Sequence, residues 1–371
     1  MIELRVNGER YTDFVDLSLK RSIDNASGQL DFGVSKRFLD IGAGDLIQAV
    51  VDNEKKLTGY IDSVDCDTGE TELMQTFTAR DKIADLIDSS LPDEVKTFQS
   101  GMNAVLMLEN VIKSLKMSQT IINNAGTIKP FKWIERIAGE AGMGAFELVS
   151  GYLRKRGIFI NSDGAGNIVL YKLSGDLRSS YSFENLRTGK TNIIDSIGKM
   201  NLAERYGTYV CKSQASVENN NGESSNFNRT GKAVDPEVRE TRYHEFVSEE
   251  SMSTDECKQR AEEEANIRRA RSFEYVVNVA GHSQDGIVYD IGKGARVNDE
   301  SAGVKGVLLV RAVELKTSKD VGDVTEITMT YPDAYSLEAS ISQKAQKKID
   351  INRYLSSKKS DSGGKFKGEV F

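Results

Sequence analysis

Two separate stretches of this chain carry the same succession of strand runs and turn signals, and this duplication limits its possible folds more than any other feature. In the first, Gly44-Asp45-Leu46-Ile47 leads to Leu57–Val64, then to Gly69-Glu70-Thr71-Glu72-Leu73 and Phe77–Asp81. In the second, Gly294-Ala295-Arg296-Val297 leads to Val304–Val310, then to Gly322–Ile327 and Met329–Asp333. The shared plan is strand, loop, glycine-bearing strand, polar turn ending in Thr-Glu plus an aliphatic, and closing strand. Gly, Thr and Glu are common at turns and edges, so the competing reading is two unrelated β meanders. The duplication predicts two related antiparallel β-barrel domains.

The rest of the chain is organised around those two regions. Met1 to about Ser90 alternates apolar and polar residues in short runs, opening with an Asn7-Gly8 hairpin turn. Residues 1–91 are therefore expected to form the first barrel, completed by 172–191, with a helical turn or two between Asp81 and Ser89. Helical stripes follow at Asn103–Leu115, from Pro130 through Trp133, Ile134, Ile137 and Ala141, and at Phe146–Arg156. With a hairpin turning at Asp163-Gly164, these define an α/β module over 92–171. The second barrel is expected from 192–215 and 272–335, interrupted by a loop and helix insertion at 216–271. The inserted helix, Asp255–Arg271, opens on a Ser253-x-x-Glu256 capping box, with acids early and arginines late. The polar run Glu218–Ser225 reads as a surface loop or flexible tip. The Ser- and Lys-rich tail, 336–371, is expected to be disordered unless a partner chain holds it. The fold class is thus α+β and multidomain.

Bulk properties narrow the function. At 371 residues the chain suits two or three domains. Its 39% apolar and 28% charged content is ordinary for a globular protein. No apolar run approaches the ~18 residues of a membrane span, so no membrane insertion is expected. The first residues alternate like a strand and carry no signal peptide, which predicts folding in a cytoplasm. Cys66, Cys211 and Cys257 are odd in number and far apart, against both a disulfide framework and a zinc site. A net charge of −7 argues against a general nucleic-acid surface.

Signals of catalysis are poor. The chain has no G-x-S-x-G, P-loop or H-E-x-x-H motif. Its two histidines, His244 and His282, lie near no second ligand cluster, and surface or hairpin positions are expected for them. Asp65-Cys66-Asp67-Thr68-Gly69 lacks the glycine and the later glutamate of a calcium loop and reads as a polar turn. A glycosidase would need two carboxylates flanking a cleft. Glu140 near Trp133 comes closest, and a helix surface suits it better. Tyr206, Tyr209, Tyr275 and Tyr289 are expected to pack in cores or barrel faces. Glu262–Glu264 with Arg268, Arg269 and Arg271 reads as a solvated helix face. No catalytic, cofactor-binding or metal-ligating residue is assigned, and no enzyme activity is expected.

Gly59-Tyr60-Ile61-Asp62-Ser63, with Ala79-Arg80-Asp81-Lys82-Ile83-Ala84-Asp85-Leu86-Ile87-Asp88 further along, resembles the Mu-type phage tail hub family. Leu4–Gly8, the Tyr171–Phe183 region and Tyr331-Pro332 also fit, so the resemblance spans nearly the whole chain. It implies a homotrimer with two barrels per subunit, giving six near-equivalent units around one axis. Such a ring would join a six-fold tail tube to a three-fold central spike and touch tape-measure and baseplate wedge proteins. It would sit in the virion tail baseplate, with DNA passing through its channel without specific binding. The competing readings are the base of a type VI-like secretion spike, where a fused C-terminal β-helix is expected but the chain stops at Phe371, and a tail-associated peptidoglycan hydrolase.

Overall fold

The computed structural model describes residues 2–35, 41–68, 73–98, 102–128, 130, 137–139, 142–154, 157–173, 177–218, 224–248 and 252–335. Strands dominate. The first seven are β1 (Ile2–Val6), β2 (Glu9–Tyr11), β3 (Asp16–Ser22), β4 (Gln29–Val34), β5 (Leu46–Val51), β6 (Glu54–Thr68) and β7 (Leu73–Asp81). Then come α1 (Ala84–Asp88), β8 (Thr97–Phe98), α2 (Ala104–Ser114), β9 (Ile121–Asn123), β10 (Ile137–Ala138), α3 (Ala145–Arg154), β11 (Ile158–Ser162) and β12 (Ile168–Lys172). They are followed by β13 (Ser179–Asn185), β14 (Asp195–Met200), β15 (Thr208–Glu218), β16 (Ser224–Val234), β17 (Tyr243–Ser248) and α4 (Thr254–Arg271). The chain continues through β18 (Phe273–Ala280), β19 (Ser283–Gln284), β20 (Ile287–Val288), β21 (Gly294–Asp299), β22 (Val304–Ser318) and β23 (Gly322–Thr330). No described helix is long and apolar enough to cross a membrane.

Thirteen strands join in one sheet, ordered β14-β18-β23-β22-β3-β4-β7-β6-β5-β1-β2, with β21 on β22 and β13 on β21. Two closed barrels were expected. The pairings give a continuous ladder, and among the described residues none closes either half on itself. The cause lies in β22, whose edge turns from β21 at its first half to β3 at its second. Alternation supplies the apolar face: Ile2, Leu4 and Val6 on β1, and Leu17 and Leu19 on β3, are buried with polar residues between them. One apolar cluster runs from Ile2 to Met329 through both halves, with the Phe32 and Phe77 rings stacked at 4.7 Å.

Each half repeats one strand order. β3-β4-β7-β6-β5-β1 in the first matches β14-β18-β23-β22-β21-β13 in the second. In both, the long strand carries a bulge against its closing partner, between Ile61 and Ser63 and between Val310 and Ala312. In both, a glycine of positive φ just before the preceding strand donates to the residue ahead of the bulge. Gly44 (φ +94°) donates to the Ile61 carbonyl at 2.8 Å, and Gly292 (φ +74°) to the Val310 carbonyl at 2.9 Å. The equivalence therefore pairs Gly44 with Gly292 rather than with Gly294, a two-residue correction to the sequence alignment. One strand breaks the match: β1 runs antiparallel to β5, whereas β13 runs parallel to β21.

Several expectations need correction. Residues 172–191 were expected to complete the first half, but β13 belongs to the second, where Tyr181 and Phe183 pack around Tyr289. Residues 208–215, expected in the second barrel, lie in β15, which pairs with β16 and β17 in a separate three-stranded sheet. Helix α4 packs on that sheet, so 216–271 holds strands as well as a loop and a helix. The helical stripe from Pro130 fails at its end, where Ile137 pairs with Phe98 in a short ladder. Trp133, Ile134, Glu140, Ala141, the tip 219–223 and the tail 336–371 lie outside the described residues. Asp65, Cys66, Asp67 and Thr68 belong to β6 rather than a turn. The small module's core also takes in Ala26, Ile83, Leu86 and Leu91, so it extends across position 92.

Candidate functional site

The residues that carry the family resemblance meet on β6 and β7. Gly59 stands opposite Asp81, and Ile61 opposite Ala79. A Cβ at Gly59 would fall 1.7 Å from the Arg80 carbonyl oxygen, so that rung of the ladder closes only on glycine. The Arg80 guanidinium bonds Asp62 through Nε and reaches Asp88 through Nη2 at 2.6 Å. The first motif thus provides the gap and one carboxylate, and the second fills them.

Asp81 leads from this ladder into the seam between the two halves. It is buried and accepts the backbone N–H groups of Gly28 (3.0 Å) and Thr58 (3.2 Å). Burial pushes its carboxyl up to about 6, against the pull of the nearby Arg21 guanidinium and those two amides. Arg21 sits on β3 opposite Val313 of β22, at the ladder that joins the halves. Its Nη1 donates to Asp290 Oδ2 at 3.0 Å, and its Nη2 to the Ser162 carbonyl at 2.6 Å. Lys56 Nζ reaches the same Asp290 oxygen at 3.0 Å. Burial works against ionisation of Asp290, but the two cations outweigh it and hold its carboxyl below the ordinary carboxylate range.

The small module docks on this cluster through the β11–β12 hairpin. Asn161 Nδ2 donates to the Ser22 and Asn25 carbonyls, and Thr58 Oγ1 donates to the Gly164 carbonyl at 2.9 Å. Gly164 takes φ +78°, and a Cβ there would strike the Lys55 and Lys56 backbone at 2.5–2.7 Å. Beside the seam lies an open cleft of about 580 Å³ that touches Lys20, Arg80, Phe146, Glu314 and Glu326. Arg21, Lys56, Ser162 and Asp290 come from four distant segments, and no motif in the sequence points to their meeting.

Other side chains singled out in the sequence take structural positions. His282, expected at a surface or hairpin position, lies in the bend between β18 and β19 and is buried, with its ring nitrogens 3.0 Å from the Thr325 and Thr317 hydroxyls. His244 stacks between Tyr206 and Phe246 on the lateral sheet. Tyr209, Tyr275 and Tyr289 are buried, and Tyr275 donates to Asp299 at 2.7 Å. Cys66 is exposed, while Cys211 and Cys257 are buried and free. Along α4, Glu264 pairs with Arg268 at 2.7 Å. Among the described residues no group of His, Cys, Asp and Glu could hold a metal ion. The arrangement can fasten elements together; it presents no nucleophile with an adjacent base.

Comparison with known proteins places this geometry. Residues 1–81 match the family described as Mu phage baseplate assembly protein GpP-like, N-terminal. The chain is 21% identical over 366 residues to the baseplate hub protein gp44 of Escherichia phage Mu, covering 95% of this chain and 93% of that protein. The fold is similar to the 43 kDa tail protein of prophage MuSo2 from Shewanella oneidensis, with TM-score 0.78 and 22% identity over 90% of this chain and 99% of that one. It is also similar to the E. coli c3393 protein, a type VI secretion component, with TM-score 0.54 and 11% identity over 88% and 76% of the two chains. The chain is therefore a homologue of the Mu-type baseplate hub protein, and its first 81 residues carry the GpP-like N-terminal domain.

Proposed function

We propose that this chain is a structural hub subunit of a phage tail baseplate, working in the virion after assembly in the host cytoplasm. Three copies form a ring of six near-equivalent halves that joins a six-fold tube to a three-fold spike. The observation that carries this reading is the matched strand order of the two halves, with the same bulge and the same glycine donor in each. A three-fold assembly of such subunits presents six similar surfaces to one neighbour and three to the other. The small module and the lateral sheet decorate the ring, and wedge and tape-measure proteins are further partners. The channel passes DNA without retaining it, in keeping with a net charge of −7. The role is structural rather than enzymatic, and purified protein is expected to leave a cell-wall suspension turbid; clearing that is lost with a single carboxylate substitution would overturn this.

Native mass spectrometry at micromolar concentration tests the assembly and is expected to show a trimer. A stable monomer that also fails to bind a spike protein would sink this reading. The fold likeness to the type VI component supports a second reading, the base of a secretion spike. Co-purification with a tail tube protein rather than a secretion tube separates the two.

A further inference from the structure

The internal repeat leaves two strand edges whose counterparts are paired. In the second half, β22 gives its later edge to β3: Ala312 faces Ser22, Glu314 faces Lys20 and Leu315 faces Leu19. In the first half the counterpart of β22 is β6. There β5 pairs only as far as Tyr60, so the same edge from Ser63 onward meets no strand among the described residues. The counterpart of β3 is β14, which pairs with β18 on one side and with no other described strand. An open backbone edge is a template for another strand, and soluble proteins usually blunt it with charge or proline. Beside its Asp195 and Lys199, β14 leaves Ile197 and Met200 53% and 44% exposed, with Ile194 59% exposed just before it.

The register follows from cross-strand rows. Ile61, Ala79, Leu30 and Leu19 form one row across the first half. Val310, Met329, Tyr275 and Gly198 form its counterpart in the second. Gly198 therefore stands for Leu19, Lys199 for Lys20, Asp65 for Glu314 and Cys66 for Leu315.

We propose that β14 of one copy pairs antiparallel with the open edge of β6 of the next copy, in the register of the internal β3–β22 seam. Asp65 then faces Lys199, Val64 faces Met200 and Cys66 faces Gly198. Charge agrees with that register. Inside the chain Lys20 lies between Asp31 on β4 (3.5 Å) and Glu314 on β22 (3.7 Å). Lys199 already holds Glu274 on β18 at 3.1 Å, and Asp65 of the next copy supplies the second acid. This head-to-tail contact rests on the ring reading and makes every joint between halves, within or between copies, of one kind.

A disulfide tests it. A Cβ at Gly198 would meet nothing closer than the Tyr275 ring at 4.0 Å, so Gly198→Cys is tolerated. Cross-strand neighbours lie within disulfide reach, and Cys66 is the exposed native thiol. Under mild oxidation the variant is expected to run as covalent dimer and trimer on a non-reducing gel. Ile197→Cys, pointing to the opposite face, is expected to link at least ~10-fold less. Asp65→Lys and Lys199→Asp are each expected to weaken the trimer about 10-fold on dilution, and the double exchange to restore it. A native trimer that shows neither the Gly198→Cys link nor the charge response overturns the pairing and leaves the ring standing. A monomer in native mass spectrometry overturns both.

Discussion

Arg21 and Asp290 lie 269 positions apart in the chain and 3.0 Å apart in the fold, where the two halves of the sheet and the small module meet. Lys56 shares the same carboxylate oxygen and also reaches Glu54 at 2.8 Å, so one acid ties together two buried cations.

Removing that acid is expected to cost more than the net worth of the ion pairs. Asp290→Ala removes the acid shared by the guanidinium and the ammonium; Lys56 keeps Glu54 at 2.8 Å, so the loss is expected at about 3 kcal/mol, the lower end of the range for broken buried pairs. Chemical unfolding followed by tryptophan-independent far-UV signal should show the midpoint fall. An unchanged midpoint would mean that Arg21 is held by Ser162 and Asp81 alone.

Asp81 gives the seam a pH response of unusual sign. Its folded value of about 6 lies above its unfolded value of 3.8, so between the two the folded chain holds a proton the unfolded chain has released. Stability therefore falls as pH rises through that window, by roughly 3 kcal/mol in all, and the full cost stands above pH ~6. Asp290 acts oppositely: its carboxyl is held low, and its contribution is lost only as pH drops below the ordinary carboxylate range. Urea midpoints measured from pH 4 to 7 should decline, and Asp81→Asn should flatten that decline. A slope unchanged in the variant would assign it to another group.

Gly59→Ala is expected to be among the most damaging single changes in the first half. The added methyl meets backbone, which cannot swing aside as a side chain can. The cost is placed at ~3 kcal/mol or more, the upper part of the range for overpacking. The soluble fraction on expression and the unfolding midpoint both read it, and wild-type behaviour in both would refute the close approach.

Ser253→Ala should loosen the lateral helix without disturbing the large sheet. The Ser253 hydroxyl accepts the Glu256 N–H at 3.2 Å while Glu256 Oε2 accepts the Ser253 N–H at 2.7 Å. Loss of such a cap costs about 1 kcal/mol. Faster amide exchange is expected over Thr254–Lys258, with β22 and β23 unchanged; exchange that rises equally in all three would contradict a local cap.

The parts of the fold written in local pattern were legible in the sequence. The alternation of β1 and β3, the hairpin of β11 and β12, and the capped helix α4 depend on neighbours a few residues away. The repeat was legible strand by strand, but its register was not. Matching glycine to glycine set Gly59 beside Gly306, whereas the bulges at Asp62 and Arg311 fix the true alignment, and a bulge leaves no mark in composition. The alternation of Tyr181 and Phe183 announces a strand without naming its partner, and that of Thr208–Ser213 looks the same whether the strand joins the large sheet or a lateral one. The charged cluster was out of reach altogether, because a lone Arg, Lys or Asp in a strand or loop carries no sign of burial.

The lateral sheet and α4 leave the ladder and return to it at one place. β14 and β18 are adjacent antiparallel neighbours, and Asn201 N–H still reaches the Ser272 carbonyl at 2.8 Å beyond their paired residues. The counterpart crossing, β3 to β4, is made by a short turn of six residues, Ile23–Gly28. The lateral sheet and α4 thus form an excursion on a closed neck, tied to the ladder at the end of α4, where Ala270 packs against Leu309 and its carbonyl accepts the Thr330 hydroxyl at 2.7 Å. The strands of the lateral sheet can be exchanged or enlarged without shifting a rung beneath them. Variation in what a tail recognises or carries could accumulate there while the ladder stays constant.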